Sequence, residues 1–79
     1  MGKSINYYAD IMKVDGAKIK LIRESRELTQ GDLAAKAGVS RQAVISWEQG
    51  GVKSFRILNK IAELLQVKPD IFLDSGNGD

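Results

Sequence analysis

Two helix-start signals and a glycine between them occur within one short stretch, TQGDLAAKAGVSRQAVISWEQGG, residues 29–51. Thr29 can cap a helix over QGDLAAKA, and Asp32 at its third position completes a capping box. Gly38 is suited to end that helix because glycine adopts the left-handed conformation at little cost. Ser40 can then cap a second helix, RQAVISWEQ. The stretch therefore predicts two short helices joined by a tight turn.

Further helices are predicted on both sides of this pair. One begins after Asp15 and runs to about Arg26, and another begins at Ser54. The residues of this last helix that we expect to face inward, at i, i+3 and i+4 spacing, are Phe55, Leu58, Ile61, Ala62 and Leu65. The segment KPDIFL predicts one or two more helical turns, with Pro69 at the first position. Because no hairpin dipeptide of the Asn-Gly type lies between two alternating, strand-like segments, we expect an all-α chain.

These signals divide the 79 residues into one domain with two flanking segments. We expect residues 16–73 to form the folded domain and residues 74–79, DSGNGD, to form a flexible tail. Residues 1–15 form an N-terminal extension, and the apolar pattern of residues 1–13 fits a helix and, almost as well, a strand.

The composition excludes several kinds of chemistry. The chain has no Cys and no His, so it lacks disulfides, thiolate or imidazole metal sites and histidine-based catalysis. It also has no paired carboxylates and no glycine-rich phosphate loop, so we expect neither an enzyme nor a cofactor. No apolar run is long enough for a signal peptide or a membrane span, and we expect a cytoplasmic location. Residues 1–66 carry eleven Lys and Arg against seven Asp and Glu, a mild basic excess compatible with a polyanionic partner.

The spacing inside the helix pair can be checked position by position. Counted from Gln30, Ala34 is fifth, Gly38 ninth, Val44 fifteenth and Trp47 eighteenth. Two closely crossing helices need a small residue at the fifth position, a left-handed residue at the ninth and bulky residues at the last two. All four requirements are met, which indicates a helix-turn-helix unit.

With these spacings, LTQGDLAAKAGVSRQAVISWEQG resembles the Cro/repressor-type, XRE-like helix-turn-helix family, and the likeness extends from about Gly16 to Leu73. The resemblance implies a compact five-helix, lambda-repressor-like DNA-binding domain with the helix-turn-helix at helices 2 and 3. It also implies a homodimer on a palindromic operator in double-stranded DNA. We therefore expect a sequence-specific transcriptional regulator, acting as a repressor.

The resemblance also implies roles for Arg23, Glu48 and Gln30. Relatives often pair an Arg in the first helix with a Glu late in the third, and Arg23 and Glu48 occupy those positions. We expect this pair to fix helix orientation and not to touch DNA. Gln30 resembles the family glutamine that contacts a phosphate at the start of helix 2.

The helix that begins after Ser40 is expected to enter the major groove. If Val44 and Trp47 face inward, the outward residues are Arg41, Gln42, Ile45, Ser46 and Gln49. Arg41 suits guanine and Gln42 suits adenine, since each can form two hydrogen bonds with the base edge. Ser46 is a further candidate for a base or phosphate contact, and Ser40 is a candidate phosphate contact besides its role as a cap. For Ile45 two interpretations stay open, packing on a thymine methyl group or a protein contact.

Three basic residues flank this unit: Lys36, Lys53 and Arg56. They are either solvated surface residues or phosphate contacts that make DNA affinity fall with salt. Lys53 and Arg56 resemble family positions that lie along a phosphate strand.

Some positions depart from the family pattern. Gln66 stands where relatives often have Gly, and Lys68 stands where they have a Ser or Thr cap. Leu21, Ile57 and Leu64 are apolar at positions that are commonly polar in the family, and we group Ile71 with them. They either extend the core under the N-terminal segment or form a dimer surface. A protein-binding adaptor or antitoxin-like module, which uses the N-terminal segment and this apolar patch, is the alternative function.

Overall fold

The computed structural model describes residues 14–73, and the regular secondary structure of this part of the chain is helical apart from one isolated β-bridge. The α-helices are α1 (Gly16–Ser25), α2 (Gln30–Ala37), α3 (Arg41–Gly50) and α4 (Phe55–Leu65). The last element is a 3-10 turn at Pro69–Phe72. The predicted all-α class is confirmed. The five-helix count is not, because the described residues form four α-helices and this single 3-10 turn.

The predictions for the two ends of the chain fall mostly outside the described residues. Of the predicted extension, residues 1–15, only Val14 and Asp15 are described, and the predicted tail, residues 74–79, lies wholly outside.

Each α-helix begins at a side chain that accepts a hydrogen bond from the helix's first turn. The capping residues are Asp15, Thr29, Ser40 and Ser54, at or next to the four helix starts that the sequence predicted. At α2 the capping box is complete, because the Asp32 carboxylate also accepts from the Thr29 backbone N–H at 2.8 Å. These caps satisfy backbone N–H groups that a helix start leaves without partners.

The core lies where the four helices and the 3-10 turn meet. Its fully buried larger side chains are Phe72, Ile19, Leu33, Leu58, Ile61, Leu65 and Val44. The inward prediction for α4 is correct for Leu58, Ile61, Ala62 and Leu65. It is wrong for Phe55, which is 55% exposed. Helical spacing gives the direction of a side chain, but Phe55 lies in the first turn of α4, where no other described element covers it.

The beginning and the end of the described chain lie side by side. Val14 and Leu73 form an isolated antiparallel bridge, and the Asp15 N–H donates to the Phe72 carbonyl at 2.8 Å. The Lys18 ammonium donates to the Leu73 carbonyl at 3.2 Å. The 3-10 turn is thereby fastened to the start of α1.

The two departures at the end of α4 have structural consequences. Gln66, the C-cap, takes the left-handed conformation with φ 62°, which glycine adopts more easily. Lys68, before the 3-10 turn, makes no side-chain cap hydrogen bond because an ammonium group cannot accept one.

Leu21, Ile57, Leu64 and Ile71, the apolar residues grouped above, divide into two pairs. Ile57 and Leu64 are half-buried and pack against the core. Leu21 and Ile71 stay 66% and 45% exposed. Of these four residues, therefore, only Ile57 and Leu64 extend the core of the described part of the chain.

Candidate nucleic-acid interface

The turn between α2 and α3 is set by the backbone of Gly38. Its φ is 73°, and the following Val39 N–H donates to the Ala34 carbonyl at 3.0 Å, so the chain reverses immediately after α2. A Cβ at Gly38 would meet nothing within 4 Å. Glycine is therefore required here for its conformation and not for space, and this conformation sets the direction in which α3 leaves the turn.

The two faces of α3 differ sharply. Val44 is fully buried, and Trp47 is half-buried against the core. The opposite side of the helix is exposed to solvent, and its exposed residues are Arg41, Gln42, Ser46 and Gln49. Ile45 is half-buried, so it offers less surface than its outward position suggested.

Ser40 holds the start of α3. Its hydroxyl oxygen accepts from the Ala43 N–H at 3.2 Å, and the residue is exposed. Its O–H can still donate to an outside acceptor. Arg41 and Gln42 follow in the first turn, so their side chains start from a fixed and solvent-facing end of the helix.

The other end of α3 is held by very close backbone contact with the start of α1. A Cβ on Gly16 would lie 2.5 Å from the Glu48 carbonyl oxygen and closer still to that of Trp47. A Cβ on Gly51, whose φ is 81°, would lie 2.7 Å from the Val14 carbonyl oxygen. The absence of side chains at these two glycines lets α1 and α3 approach each other directly.

Arg23 and Glu48 form a buried ion pair between α1 and α3. The Arg23 Nε donates to the Glu48 Oε2 at 2.6 Å and the Nη2 donates to the Oε1 at 3.2 Å, while the side chains are only 6% and 4% exposed. Arg23 Nη1 also donates to the Leu28 carbonyl at 2.7 Å. The hydrogen bond to Glu48 raises the pKa of Arg23, against the opposing effect of burial. The guanidinium is therefore permanently charged and fixed through three of its nitrogens.

Gln30 lies beside this pair, and its side chain is hydrogen-bonded within the protein. Its Nε2 donates to the Glu48 Oε1 at 3.1 Å, and the residue is half-buried. It lines an open depression of about 580 Å³ at the start of α2, which we call the α2 depression. The residues lining it are Lys20, Arg23, Glu24, Leu28, Thr29, Gln30, Gly31 and Arg41.

The structure thus brings two predicted DNA-contacting residues, Gln30 and Arg41, to one depression and adds Lys20 to them. Lys20 was not among the residues predicted from the sequence. The available signal was its spacing, because Lys20 precedes Arg23 by three residues and therefore shares its side of α1.

The other predicted phosphate contacts are exposed but lie away from the α2 depression. Lys36 is in the last turn of α2 and Lys53 follows α3. Arg56, in the first turn of α4, lines a separate depression with Lys60 and Glu63 among others. The structure therefore leaves these three cations available to solvent without gathering them into one site.

Within residues 14–73, no helix has the length and apolar character needed to cross a membrane. The same residues contain no group of three acidic, His or Cys side chains placed to hold a metal ion.

Comparison with known proteins agrees with this geometry. A family model described as helix-turn-helix matches residues 19–72. An uncharacterised HTH-type transcriptional regulator of Methanocaldococcus jannaschii is 47% identical over 58 residues, a match covering 71% of this chain and 88% of that protein.

Two solved structures share the fold. One is the complex of the SinR and SinI proteins, with a TM-score of 0.68 and 30% identity, where the match covers 77% of this chain and 61% of the other. The second is SinR, a master regulator for biofilm formation, in complex with DNA, with a TM-score of 0.68 and 31% identity, covering 75% and 97%. Together with the family model and the archaeal relative, these likenesses show that the chain belongs to the helix-turn-helix family of DNA-binding transcriptional regulators.

Proposed function

We propose that this chain binds an operator in double-stranded DNA and represses transcription, with α3 as the recognition helix in the major groove. The observation that carries the proposal is the arrangement of α3. Val44 and Trp47 attach it to the core, while Arg41 and Gln42 lie exposed in its first turn. The first turn is the part of a recognition helix that reaches base edges.

The base contacts are assigned by chemistry. Arg41 suits the O6 and N7 atoms of guanine, and Gln42 suits the N6 and N7 atoms of adenine. Ser46, one turn later, is a further base or phosphate contact. Ile45 adds a smaller apolar contact with a thymine methyl group, consistent with its half-buried position.

Phosphate contacts are assigned to residues around the helix pair. Gln30 and Ser40 lie at the starts of α2 and α3, where free N–H groups favour an anion. Lys36, Lys53 and Arg56 are exposed cations that neutralise the DNA backbone. Arg23 and Glu48 are buried and make no DNA contact.

We also propose a homodimer on a palindromic operator, as the family resemblance implies. Two copies of α3 would then enter successive major grooves about 34 Å apart. The SinR structure solved with DNA supports DNA as the partner of this chain, at 31% identity. We propose a cytoplasmic location, a binding role without catalysis, and no bound cofactor.

The test is to select the operator from genomic fragments and then compare variants on it. Arg41→Ala and Gln42→Ala should each reduce discrimination against the wrong base by about 1 to 3 kcal/mol, while salt-sensitive binding to arbitrary DNA continues. Lys68→Ala is the matched control, since Lys68 is an exposed cation before the 3-10 turn and is not assigned to DNA. Unchanged operator preference in both α3 variants would reject the assignment of the base contacts.

A protein-binding adaptor or antitoxin-like module is the second candidate function. Leu21 and Ile71 are exposed apolar side chains, and one structural neighbour is solved with a protein partner, SinI. A pull-down from the host that recovers a stoichiometric protein partner and retains no DNA would favour this candidate over the operator-binding role.

A further inference from the structure

We propose that Glu48 is a positioning residue for DNA binding, which fixes the Gln30 side-chain amide with its nitrogen ready for a phosphate oxygen. The inference rests on the proposed function. It assigns to the buried Arg23–Glu48 pair a role beyond holding α1 against α3.

The main evidence is that the Glu48 carboxylate accepts hydrogen bonds from two different side chains. Glu48 accepts from the Arg23 Nε at 2.6 Å and Nη2 at 3.2 Å, and from the Gln30 Nε2 at 3.1 Å. Gln30 is the first residue of α2, and Glu48 lies near the end of α3. The hydrogen bond therefore connects the proposed phosphate contact with the recognition helix across 18 positions of sequence.

The chemistry of the carboxylate determines which way the amide faces. An ionised carboxylate only accepts hydrogen bonds, so the Gln30 side chain must turn its NH₂ group, and not its oxygen, toward Glu48. One N–H is used by Glu48, and the second N–H stays available to a phosphate oxygen. Without Glu48 the amide could rotate and present its oxygen, which a phosphate repels.

Arg23 makes this arrangement compatible with a nearby phosphate. A lone carboxylate beside the α2 depression would repel the DNA backbone, but the charge of Glu48 is balanced by a guanidinium that is itself buried. Arg23 is held in turn by the Leu28 carbonyl at 2.7 Å. The pair thus fixes Gln30 before DNA arrives, so less side-chain freedom is lost on binding.

The experiment is a double-mutant cycle on a generic duplex. A phosphate contact does not depend on sequence, so a labelled DNA of about 20 base pairs at low salt is a sufficient probe. We expect Gln30→Ala to weaken binding about tenfold in the natural chain, as for the removal of one hydrogen bond to a charged oxygen.

The second background removes the pair without leaving a buried charge. Arg23→Met combined with Glu48→Leu replaces it by apolar side chains, an exchange that buried ion pairs often tolerate. In this background we expect Gln30→Ala to weaken binding less than about twofold, because the amide is no longer positioned. Circular dichroism and Trp47 fluorescence establish that each variant is folded.

A purely structural role of the pair gives a different result. The replacement would then lower affinity through the fold alone, and Gln30→Ala would still cost about tenfold, which would overturn the proposal. No effect of Gln30→Ala in the natural chain would overturn it as well. If the natural chain binds no duplex at all, the proposed function itself fails, which is a separate outcome of the same titration.

A measurement on the free protein tests the positioning without DNA. The side-chain NH₂ protons of Gln30 should show shifted and exchange-protected NMR signals in the natural chain. The background with Arg23→Met and Glu48→Leu should lose that protection, because no carboxylate is left to accept from the amide. Solvent-like signals in the natural chain would contradict the inference.

Discussion

Gly16, at the start of α1, lies so close to Glu48 in α3 that a Cβ on the glycine would be 2.5 Å from the Glu48 carbonyl oxygen. The neighbouring atoms are backbone and cannot turn away as a flexible side chain could. We therefore expect Gly16→Ala to destabilise the fold by about 1 to 3 kcal/mol, the usual cost of overpacking. Urea unfolding followed by circular dichroism measures the change.

Gly50→Ala is the matched control for this substitution. Gly50 is the last residue of α3, and a Cβ there would meet nothing within 4 Å. The control should be neutral or stabilising by up to about 1 kcal/mol, because alanine favours the helix over glycine. Equal stability of the two variants would show that α1 and α3 are less closely packed than this distance requires.

Gln66→Gly should make the protein more stable. Gln66 has φ 62°, a left-handed conformation that costs a residue with a side chain about 1 to 2 kcal/mol. Glycine removes this cost but has more freedom in the unfolded chain, so we expect a net gain of up to about 1 kcal/mol in the free energy of unfolding. Lys60→Gly, in the middle of α4, should instead lose about 1 kcal/mol. A loss at position 66 as well would contradict the conformational argument.

The capping box of α2 should make stability depend on pH. Hydrogen bonds from Thr29, first of all from its backbone N–H, lower the pKa of Asp32 below its ordinary value of 3.8. The carboxylate is thus favoured in the folded state, and its contribution is present above the unfolded pKa and lost as pH falls through the lower folded pKa. Asp32→Asn should therefore lose less stability than the natural chain when pH is lowered from about 5 to about 2. Parallel pH profiles for the two proteins would count against this role.

The exposed cations next to α3 should determine the salt dependence of DNA binding. Lys53→Ala and Arg56→Ala should each reduce the slope of log affinity against log salt by about 0.9, the value for one phosphate that the protein no longer neutralises. Fluorescence anisotropy at several salt concentrations measures the slope. Lys68→Ala, which also removes one exposed charge but before the 3-10 turn, should leave the slope unchanged. Slopes of Lys53→Ala and Arg56→Ala that equal the slope of the natural chain would mean that Lys53 and Arg56 are solvated surface residues.

The two phenylalanines should respond very differently to truncation. Phe72 is fully buried, so Phe72→Ala should cost about 3 to 5 kcal/mol of stability. Phe55 is 55% exposed, so we expect Phe55→Ala to change the free energy of unfolding by less than about 0.5 kcal/mol. Thermal unfolding of the two variants gives the comparison. A large loss of stability in Phe55→Ala would indicate that Phe55 is buried after all, as helical spacing predicted.

Local sequence signals were sufficient for the helix starts and for the turn. Thr29 and Ser40 bond to backbone atoms three residues away, and Gly38 acts through its own φ, so neighbouring residues alone determine these features. The exposure of Phe55 depends on what packs opposite α4. The hydrogen bond of Gln30 to Glu48 depends on how α2 and α3 cross. Neither can be predicted from the spacing within one segment.

The same distinction explains which site residues could be identified from the sequence. Arg41 and Gln42 were predicted to face outward because they follow a recognisable cap and precede Val44, which had to be buried. Lys20 was missed because the spacing to Arg23 places it on one side of α1 but does not show that Gln30 of α2 and Arg41 of α3 lie at the same depression. The family resemblance indicated the partners Arg23 and Glu48, but not that Gln30 joins them.

The bridge between Val14 and Leu73 makes these two positions natural places for a pair of spectroscopic labels. A fluorescent donor and acceptor attached there would be adjacent in the folded protein and far apart in the unfolded chain. Energy transfer between them would report the integrity of the whole helical body while leaving α3 unlabelled.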